Sequence, residues 1–357
     1  MLDDAPLPSE RARHAGTRVF STVRYFTAND WTAREDIEGN WSGHYAPRGG
    51  RNLGVEFLRA GVGVAHDAWR VGYFQRRDVV IDTNRDTLDL LYLERNDLPI
   101  PVGRRFALQL EADSLEAEGV RIDRAFELHR SGRSGLWASL GLSLLRGSRA
   151  RSGGLAGGIT ASAANTFSFD AAWIDRNTRK TFPFITPGSP EGSGYALDAA
   201  LEFVWAEHNR VLLSVEDLLS RIAWRDVPAT EARASSNTAA RDAQGFVVYL
   251  PAVSGRNRRL DYTQRLDRKS TVHYSREFGP LSVGAGALVV RSIAIPRLSL
   301  DYRLGGAWRV SAEYDFRFGS VGAGLRYKWL SLAVLSDSTD LGGAKAYGLA
   351  AQLAVPF

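Results

Sequence analysis

Residues 347–357, YGLAAQLAVPF, alternate strictly up to the last residue of the chain. Every second residue is apolar: Tyr347, Leu349, Ala351, Leu353, Val355 and Phe357. The residues between them are small or polar: Gly348, Ala350, Gln352, Ala354 and Pro356. A period of two predicts a β-strand with one apolar face. Free chain ends usually fray, so a strand this regular that ends in an aromatic residue needs an explanation. The pattern favours the closing strand of a membrane barrel, whose apolar face contacts lipid.

This pattern resembles the C-terminal signal of bacterial outer-membrane β-barrel proteins, in which the last strand ends in phenylalanine. The resemblance rests on Tyr347, Leu353, Val355 and Phe357. It implies a location in the bacterial outer membrane, contact with outer-membrane lipid, and recognition by the barrel-assembly machinery. Pro356 departs from the pattern because proline cannot donate a ladder hydrogen bond, although proline is tolerated at the end of an edge or seam strand.

The composition suits a barrel better than a helical membrane protein. The chain has 357 residues, 44% of them hydrophobic, and a mean hydropathy of −0.21. No apolar run approaches the roughly 18 residues that a transmembrane helix needs. A barrel strand turns only alternate residues to lipid, so its mean hydropathy stays low even though the strand crosses the membrane. Residues 2–4, after Met1, do not begin the charged and then apolar segment that is typical of a signal peptide. This predicts that the sequence is the mature chain and that a start Met stands in place of the signal peptide.

Charge and cysteine content exclude several classes of function. The net charge is +5, with 45 basic residues, of which only four are Lys and 41 are therefore Arg. This excess is too weak to indicate a nucleic-acid partner. Cysteine is absent, which excludes disulfides, thiolate metal sites and cysteine nucleophiles.

Alternation recurs along most of the chain in segments of about nine to thirteen residues, the length that a tilted strand needs to cross a bilayer. The clearest segment, residues 308–318, sets Trp, Val, Ala, Tyr and Phe against Arg, Ser, Glu and Asp. Strands of a soluble β-sandwich, the alternative fold, average about five or six residues. The prediction is an all-β protein, a transmembrane antiparallel up-and-down β-barrel of about 16–18 strands. Residues 52–357 would form the barrel, and residues 1–51 a periplasmic or lumenal segment with a candidate first strand at 17–27.

Loop lengths give the barrel a direction. If the last strand runs inward, the long connections lie outside and the tight links inside, as is usual for such barrels. The predicted outer connections are 177–193, 217–244 and 337–346, and the predicted inner links are 207–209, 279–280 and 304–306. Two further features are expected near the mouths: a long periplasmic connector at 78–102 with a short helix at 86–94, and a short helix at 217–228. Together with residues 1–51, these segments are candidates for a plug.

The histidines carry little evidence of catalysis or metal binding. His273 and Ser275 share one strand face, as in outer-membrane lipases, but the following strand contains no acidic or amide residue. The other histidines lack metal-ligand spacing. We therefore expect no enzyme activity, metal or cofactor, with a lipid hydrolase using His273 and Ser275 as a minor alternative.

The charged inner face is the strongest functional feature. The predicted lumen-lining residues come from two pairs of neighbouring strands. One pair carries Arg105, Glu111, Asp113, Arg121, Asp123 and Glu127, and the other carries Arg297, Asp301, Arg303, Arg309, Glu313, Asp315 and Arg317. Such residues either brace the wall or set the selectivity of a pore. The pore reading predicts a channel or export conduit for a polar, including anionic, solute or polysaccharide. Transport would follow the solute gradient or a periplasmic partner. The alternative is a non-conducting surface barrel whose loops bind a partner.

Overall fold

The computed structural model describes residues 7–13, 15–41, 43–163, 166–183, 189–241, 247–249 and 252–357. The wall of the barrel is built from fourteen strands: β1 (Thr17–Asn29), β2 (Arg51–His66), β3 (Trp69–Asn84), β4 (Arg105–Ser131), β5 (Ser134–Ala163), β7 (Glu191–Trp205), β8 (Asn209–Ser235), β12 (Lys269–Phe278), β13 (Leu281–Val290), β14 (Ile293–Leu304), β15 (Trp308–Asp315), β16 (Ser320–Tyr327), β17 (Leu330–Ser336) and β18 (Ala346–Pro356). The other described elements are α1 (Pro8–Ala12), α2 (Arg85–Arg95), β6 (Thr166–Asn177), β9 (Ala239–Arg241), β10 (Val247–Tyr249) and β11 (Val253–Gln264).

Each wall strand pairs antiparallel with its neighbours, and β1 closes the wall by pairing with both β2 and β18. The chain is therefore all-β with a closed up-and-down barrel, as the alternation predicts. The predicted count of 16–18 strands is wrong, because the closed wall has fourteen. Residues 106–112 and 120–128 are two separate alternating segments, but both belong to the single strand β4. The alternating segments 136–144 and 155–163 likewise both belong to β5. Neither junction carries a turn, so alternation alone overcounts the crossings.

The outer surface of the wall is apolar. Exposed side chains along the wall strands include Val62, Val71, Leu142, Leu213, Leu300, Leu332 and Val334. Trp69 and Trp308 begin their strands and Trp329 lies in a turn at the same end, each between 43% and 46% exposed. An apolar band bounded by aromatic residues is the surface that a barrel presents to a bilayer. No helix among the described residues is long and apolar enough to span a membrane.

The two ends of the barrel differ, and we name them by their connections. At the terminal end, where the Phe357 N–H donates to the Thr17 carbonyl at 3.0 Å, successive wall strands are joined by turns of two or three residues. At the opposite loop end lie the long connections, among them the described residues 30–41 and 43–50 between β1 and β2, and residues 337–345 between β17 and β18. This asymmetry follows the sequence prediction.

Two predictions about connections are wrong. Residues 78–84 continue strand β3, and α2, which fulfils the predicted helix at 86–94, therefore lies at the loop end and not at the periplasmic end. Residues 217–228 are not a helix but part of β8. Asp217 and Asp226 both have φ +57 there, so two irregular backbone positions break the regular alternation of the strand.

One side of the barrel is much taller than the other. Strands β4, β5 and β8 have 27, 30 and 27 residues, whereas β15, β16 and β17 have eight, eight and seven. The upper parts of β5 and β8 both pair with β6, and β8 also pairs with β11. These four strands form a sheet that extends beyond the loop end. Its base is an apolar cluster around Ile222 and Trp224, and the Trp224 Nε1–H donates to Gln264 Oε1 at 3.0 Å.

The predicted N-terminal segment, residues 1–51, contributes to several parts of the molecule. Its candidate strand is β1, a member of the wall. Residues 30–50 form a loop whose Trp31 and Trp41 pack with Leu88 of α2. Helix α1 packs inside the terminal end against β4, β5 and β7.

Candidate functional site

The barrel interior contains a cavity of about 400 Å³. Its lining includes ten arginines and seven carboxylates, an excess of three positive charges. Apolar residues, among them Phe20 and Phe74, share the same wall. The cavity therefore offers both positive charge and apolar surface to a molecule inside the barrel.

The structure brings seven of the thirteen predicted lumen residues to this cavity: Arg121, Asp123, Arg297, Asp301, Arg303, Arg309 and Glu313. The first predicted group lies on one strand, β4, and not on a neighbouring pair. Its tall upper part carries Arg105, Glu111 and Asp113 beyond the cavity. Near the terminal end, Glu127 accepts from the Trp137 indole N–H at 3.2 Å.

The two remaining residues, Asp315 and Arg317, lie at the turn after β15. Asp315 is buried, and its Oδ1 accepts from the backbone N–H of Arg317 at 2.7 Å. Arg317 in turn forms an ion pair with Asp30 of the β1–β2 loop. These two residues hold the loop end together and do not face the cavity.

A buried ionic cluster, formed by Arg76, Asp78, Asp217 and Lys269, crosses the interior. The positive φ of Asp217 turns its carboxylate into the barrel next to Glu216, where regular alternation would place only one of the two. Arg76 donates two hydrogen bonds to Asp217, at 2.9 and 2.8 Å, and Lys269 Nζ lies 2.7 Å from Oδ2. Arg76 also pairs with Asp78. The cluster ties β3 across the interior to the neighbouring strands β8 and β12, with which β3 does not pair.

Glu216 forms a second and looser set of contacts, the Glu216 bridge. Its carboxylate lies 3.6 Å from Arg24 and 3.4 Å from Arg59. Beyond it lies a second cavity of about 110 Å³, whose apolar lining includes Phe26, Phe57 and Leu288. Five residues line both cavities: Arg24, Arg59, Ser214, Glu216 and Arg297. The Glu216 bridge therefore stands between two interior spaces.

Contacts across the barrel close the loop end above the second cavity. An apolar cluster joins Phe26 and Leu53 on one side to Val290 and Ile295 on the other. Above it, Arg291 in the β13–β14 turn reaches the facing wall.

Arg291 acts as a clasp between three elements. It forms ion pairs with Glu111 and Asp113 of β4, and its Nε–H donates to Asp267 at 2.8 Å. Burial raises the pKa of Asp267, while Arg291 opposes that shift. The Asp267 and Asp113 carboxylates raise the pKa of Arg291, which keeps its positive charge despite burial.

Helix α1 covers one side of the terminal end. The backbone N–H and the hydroxyl of Ser9 both donate to Glu202 at 2.8 Å, and Glu202 also pairs with Arg210 at 3.0 Å. Arg11 forms an ion pair with Asp123, and the guanidinium of Arg13 lies 4.5 Å from the Trp137 ring. Helix α1 is thus docked by polar contacts on the wall of β4, β5 and β7.

His273 and Ser275 both line the large cavity. His273 Nε2 lies 3.1 Å from Ser299 Oγ across Gly284, where an added Cβ would come within 2.6 Å of both atoms. The pair faces the interior, away from the lipid-exposed surface, which removes the basis for a hydrolase acting on bilayer lipid. Within the described ranges, no group of three or more His, Cys, Asp or Glu residues could hold a metal ion.

Sequence reasoning missed Arg24, Arg59, Glu216, Asp217 and Lys269 as interior residues. Arg24 lies on a strand without a clean polar face, and Asp217 was assigned to a loop. Asp residues adopt positive φ several times more readily than most residues. An Asp directly after an alternating segment is therefore the available signal for an inward bulge at 217.

The residues of the resemblance lie on the outside of the barrel. Leu353 and Val355 are exposed on β18, Tyr347 is partly exposed, and Phe357 is 99% exposed beyond the end of the strand. Tyr347 faces Thr27 and lies next to Tyr25, with ring centroids 6.2 Å apart. Recognition of these residues by the assembly machinery stays a prediction.

Comparisons with known proteins give a distant similarity. No protein-family model matches the sequence, and no curated protein matches it. Similar solved structures include the TodX deltaS2S3 mutant monoaromatic hydrocarbon channel, at 10% identity and a TM-score of 0.47, covering 100% of this chain and 94% of that chain. The P. putida toluene transporter TodX has 10% identity and a TM-score of 0.42, and the match covers 100% of this chain and 93% of that chain. A Pseudomonas aeruginosa FadL homologue has 14% identity and a TM-score of 0.37, and the match covers 97% of this chain and 91% of that chain. At these values the similarities transfer neither a cargo nor a mechanism.

The location follows from the barrel itself. Its wall is closed, so no strand edge meets lipid, and its outer surface is apolar. The protein is a transmembrane β-barrel of the bacterial outer membrane, as its closing strand predicts.

Proposed function

We propose that this barrel is a channel for a small amphipathic anion, a molecule with an apolar body and one anionic group. The observation that carries the proposal is the pair of cavities inside one closed wall, separated by the Glu216 bridge. A chain that only braced its wall would have no use for two adjoining spaces with different linings.

The large cavity favours the anionic group. Its three excess positive charges are all carried by arginines, which bind carboxylate, sulfonate and phosphate through paired hydrogen bonds. Rows of cationic side chains select anions in other pores.

The second cavity favours the apolar body. Phe26, Phe57 and Leu288 line it, and Phe26 belongs to the buried apolar cluster beyond it. An anion without an apolar part would gain nothing from this surface. The solute proposed here is thus more apolar than the polar solute expected from the sequence.

The size of the site also excludes the expected polysaccharide from the proposal. A cavity of about 400 Å³ lies in the range of small-molecule sites, roughly 300–1,000 Å³. The similar structures named for toluene or monoaromatic hydrocarbons carry small solutes as well, but ones without a charge.

Passage needs movement of two sets of contacts. The Glu216 bridge separates the cavities, and the Arg291 clasp closes the loop end. Loose, partly exposed ion pairs contribute little stability. The contacts of the Glu216 bridge, at 3.4 and 3.6 Å, are longer and less buried than those of the Asp217 cluster, so they would open more easily, and transport would follow the solute gradient without a cofactor.

Flux into proteoliposomes tests the proposal. p-Toluenesulfonate is a suitable probe because it stays charged and crosses bare bilayers poorly. We expect uptake well above that of protein-free vesicles and above that of glucose, with Glu207→Gln, a change in an exposed turn, as the unchanged control. Equal uptake with and without protein for both solutes would leave the non-conducting surface barrel as the better function.

A further inference from the structure

Three arginines form a row on adjacent strands at the terminal end. Arg303 of β14 faces Arg309 of β15, and Arg309 faces Arg326 of β16. All three line the large cavity, so their side chains point to the interior. Directly facing residues of antiparallel strands have Cβ atoms about 4.5–5.5 Å apart, which places three guanidinium groups side by side.

Such a row weakens the wall unless it has another role, because like charges directly opposite each other are destabilising. Deeper arginines of the same cavity have acidic partners: Arg59 lies near Glu216, Arg121 pairs with Asp198, and Arg297 lies 3.8 Å from Glu313. In the row, Glu277 pairs with Arg303 at 2.5 Å. Arg326 has a partner as well, and among the described residues no carboxylate forms an ion pair with Arg309, the central member.

The row is also accessible and extended by neutral polar residues. The Arg303 side chain is 51% exposed, and Arg309 and Arg326 are partly exposed. Arg326 faces Ser331 of β17, and Ser331 faces Gln352 of β18. Helix α1 lines the same cavity from the wall of β4, β5 and β7.

We propose that Arg303, Arg309 and Arg326 form an oxyanion-binding site at the terminal end of the barrel. Planar guanidinium groups on adjacent strands can hold two oxygens of one carboxylate, sulfonate or phosphate group. A bound oxyanion also removes the repulsion among the three arginines. This inference deepens the proposed function by giving the place where the anionic group of the solute docks, and it rests on that function only for the identity of the solute.

Binding to the detergent-solubilised full-length protein tests the site without any transport. Calorimetric titration with p-toluenesulfonate and, separately, with inorganic phosphate gives the two affinities. We expect Arg309→Gln to weaken binding of the preferred anion by about tenfold or more, the loss expected for a charge-assisted hydrogen bond. Arg309→Lys keeps the charge without the paired donors, so its affinity for the anion should lie between those of the wild type and Arg309→Gln.

Arg133→Gln is the matched control, because it removes one positive charge from an exposed turn. Equal affinities in the wild type and Arg309→Gln, or an equal loss in Arg133→Gln, would overturn the site. Tighter binding of the sulfonate assigns the site to the head group of an amphipathic solute, and tighter binding of phosphate assigns it to phosphate or a phosphorylated molecule. Flux without Arg309-dependent binding sinks this site alone, whereas binding without flux sinks the channel.

Discussion

Glu216 and Asp217 are consecutive, and both carboxylates point into the barrel, but their surroundings differ. Asp217 is 0% exposed and held at 2.7 to 2.9 Å by Arg76 and Lys269. Glu216 is 31% exposed and lies 3.4 and 3.6 Å from its arginines. The Asp217 cluster joins non-neighbouring strands, whereas the Glu216 bridge separates two cavities. One bulge thus places a tight, buried contact and a longer, partly exposed contact side by side.

The largest effect is expected for Asp217→Asn. The substitution leaves Arg76 and Lys269 facing each other with Asp78 as the remaining carboxylate. Removing one partner of a buried ion pair costs about 3–5 kcal/mol, and we expect a loss of that size in urea unfolding. Folded and unfolded barrel can be followed by their different electrophoretic mobilities.

Asp226→Asn is the control for that experiment. Asp226 lies on the same strand with the same φ of +57, but its side chain is 47% exposed and that of its partner Arg259 is 21% exposed, whereas Asp217 is fully buried. Exposed pairs contribute about 0–1 kcal/mol. Similar losses in the two variants would show that the bulge, and not the buried cluster, carries the stability.

Glu216→Gln tests the other side of the comparison. The neutral amide weakens the attraction to Arg24 and Arg59, so the two cavities should join more often. We expect p-toluenesulfonate flux to rise by roughly threefold, which corresponds to less than 1 kcal/mol of barrier, with little change in unfolding. Glu231→Gln, in the sheet beyond the loop end, should leave flux unchanged. A fall in flux would mean that the carboxylate guides the solute and does not restrain it.

Glu202→Gln probes a third carboxylate, one that docks a helix. Its charge holds both donors of Ser9. We expect faster hydrogen exchange of the α1 amides, by about tenfold for each 1.4 kcal/mol of docking energy lost, with the wall strands unaffected. Glu207→Gln serves as the control near the same turn, and unchanged exchange in Glu202→Gln would show that Arg11 and Arg13 dock the helix alone.

The sequence predicts the wall well and the interior only in part. Strict alternation in 347–357 and 308–318 is a local property, and the helix at 86–94 is local too, so both were found. The count of strands was wrong because β4 and β5 continue past the membrane with no turn residues to mark the point. Apolar residues at 218, 219, 222 and 223 suggested a helix, but pairing with β7 and β11 keeps this segment a strand.

The charged contacts that organise the interior are not local. Arg76 and Asp217 are 141 residues apart, and Arg291 and Asp113 are 178 apart. Which inward charges meet depends on the barrel's strand number and register, and a wrong strand number misplaces every such pair. The seven cavity residues that were predicted came from strands whose alternation is uninterrupted near the cavity.

The seam between β1 and β18 has a kinetic consequence. Arg18 faces Pro356, so the pairing that closes the wall joins its first strand, β1, to its last strand, β18. The cylinder is complete only when β1 has paired with β18, and until then each of these two strands has one unpaired edge that can join another chain. Contacts between residues distant in sequence also form slowly. We therefore expect seam closure to be the slow step of folding and the seam to be the stage most exposed to aggregation.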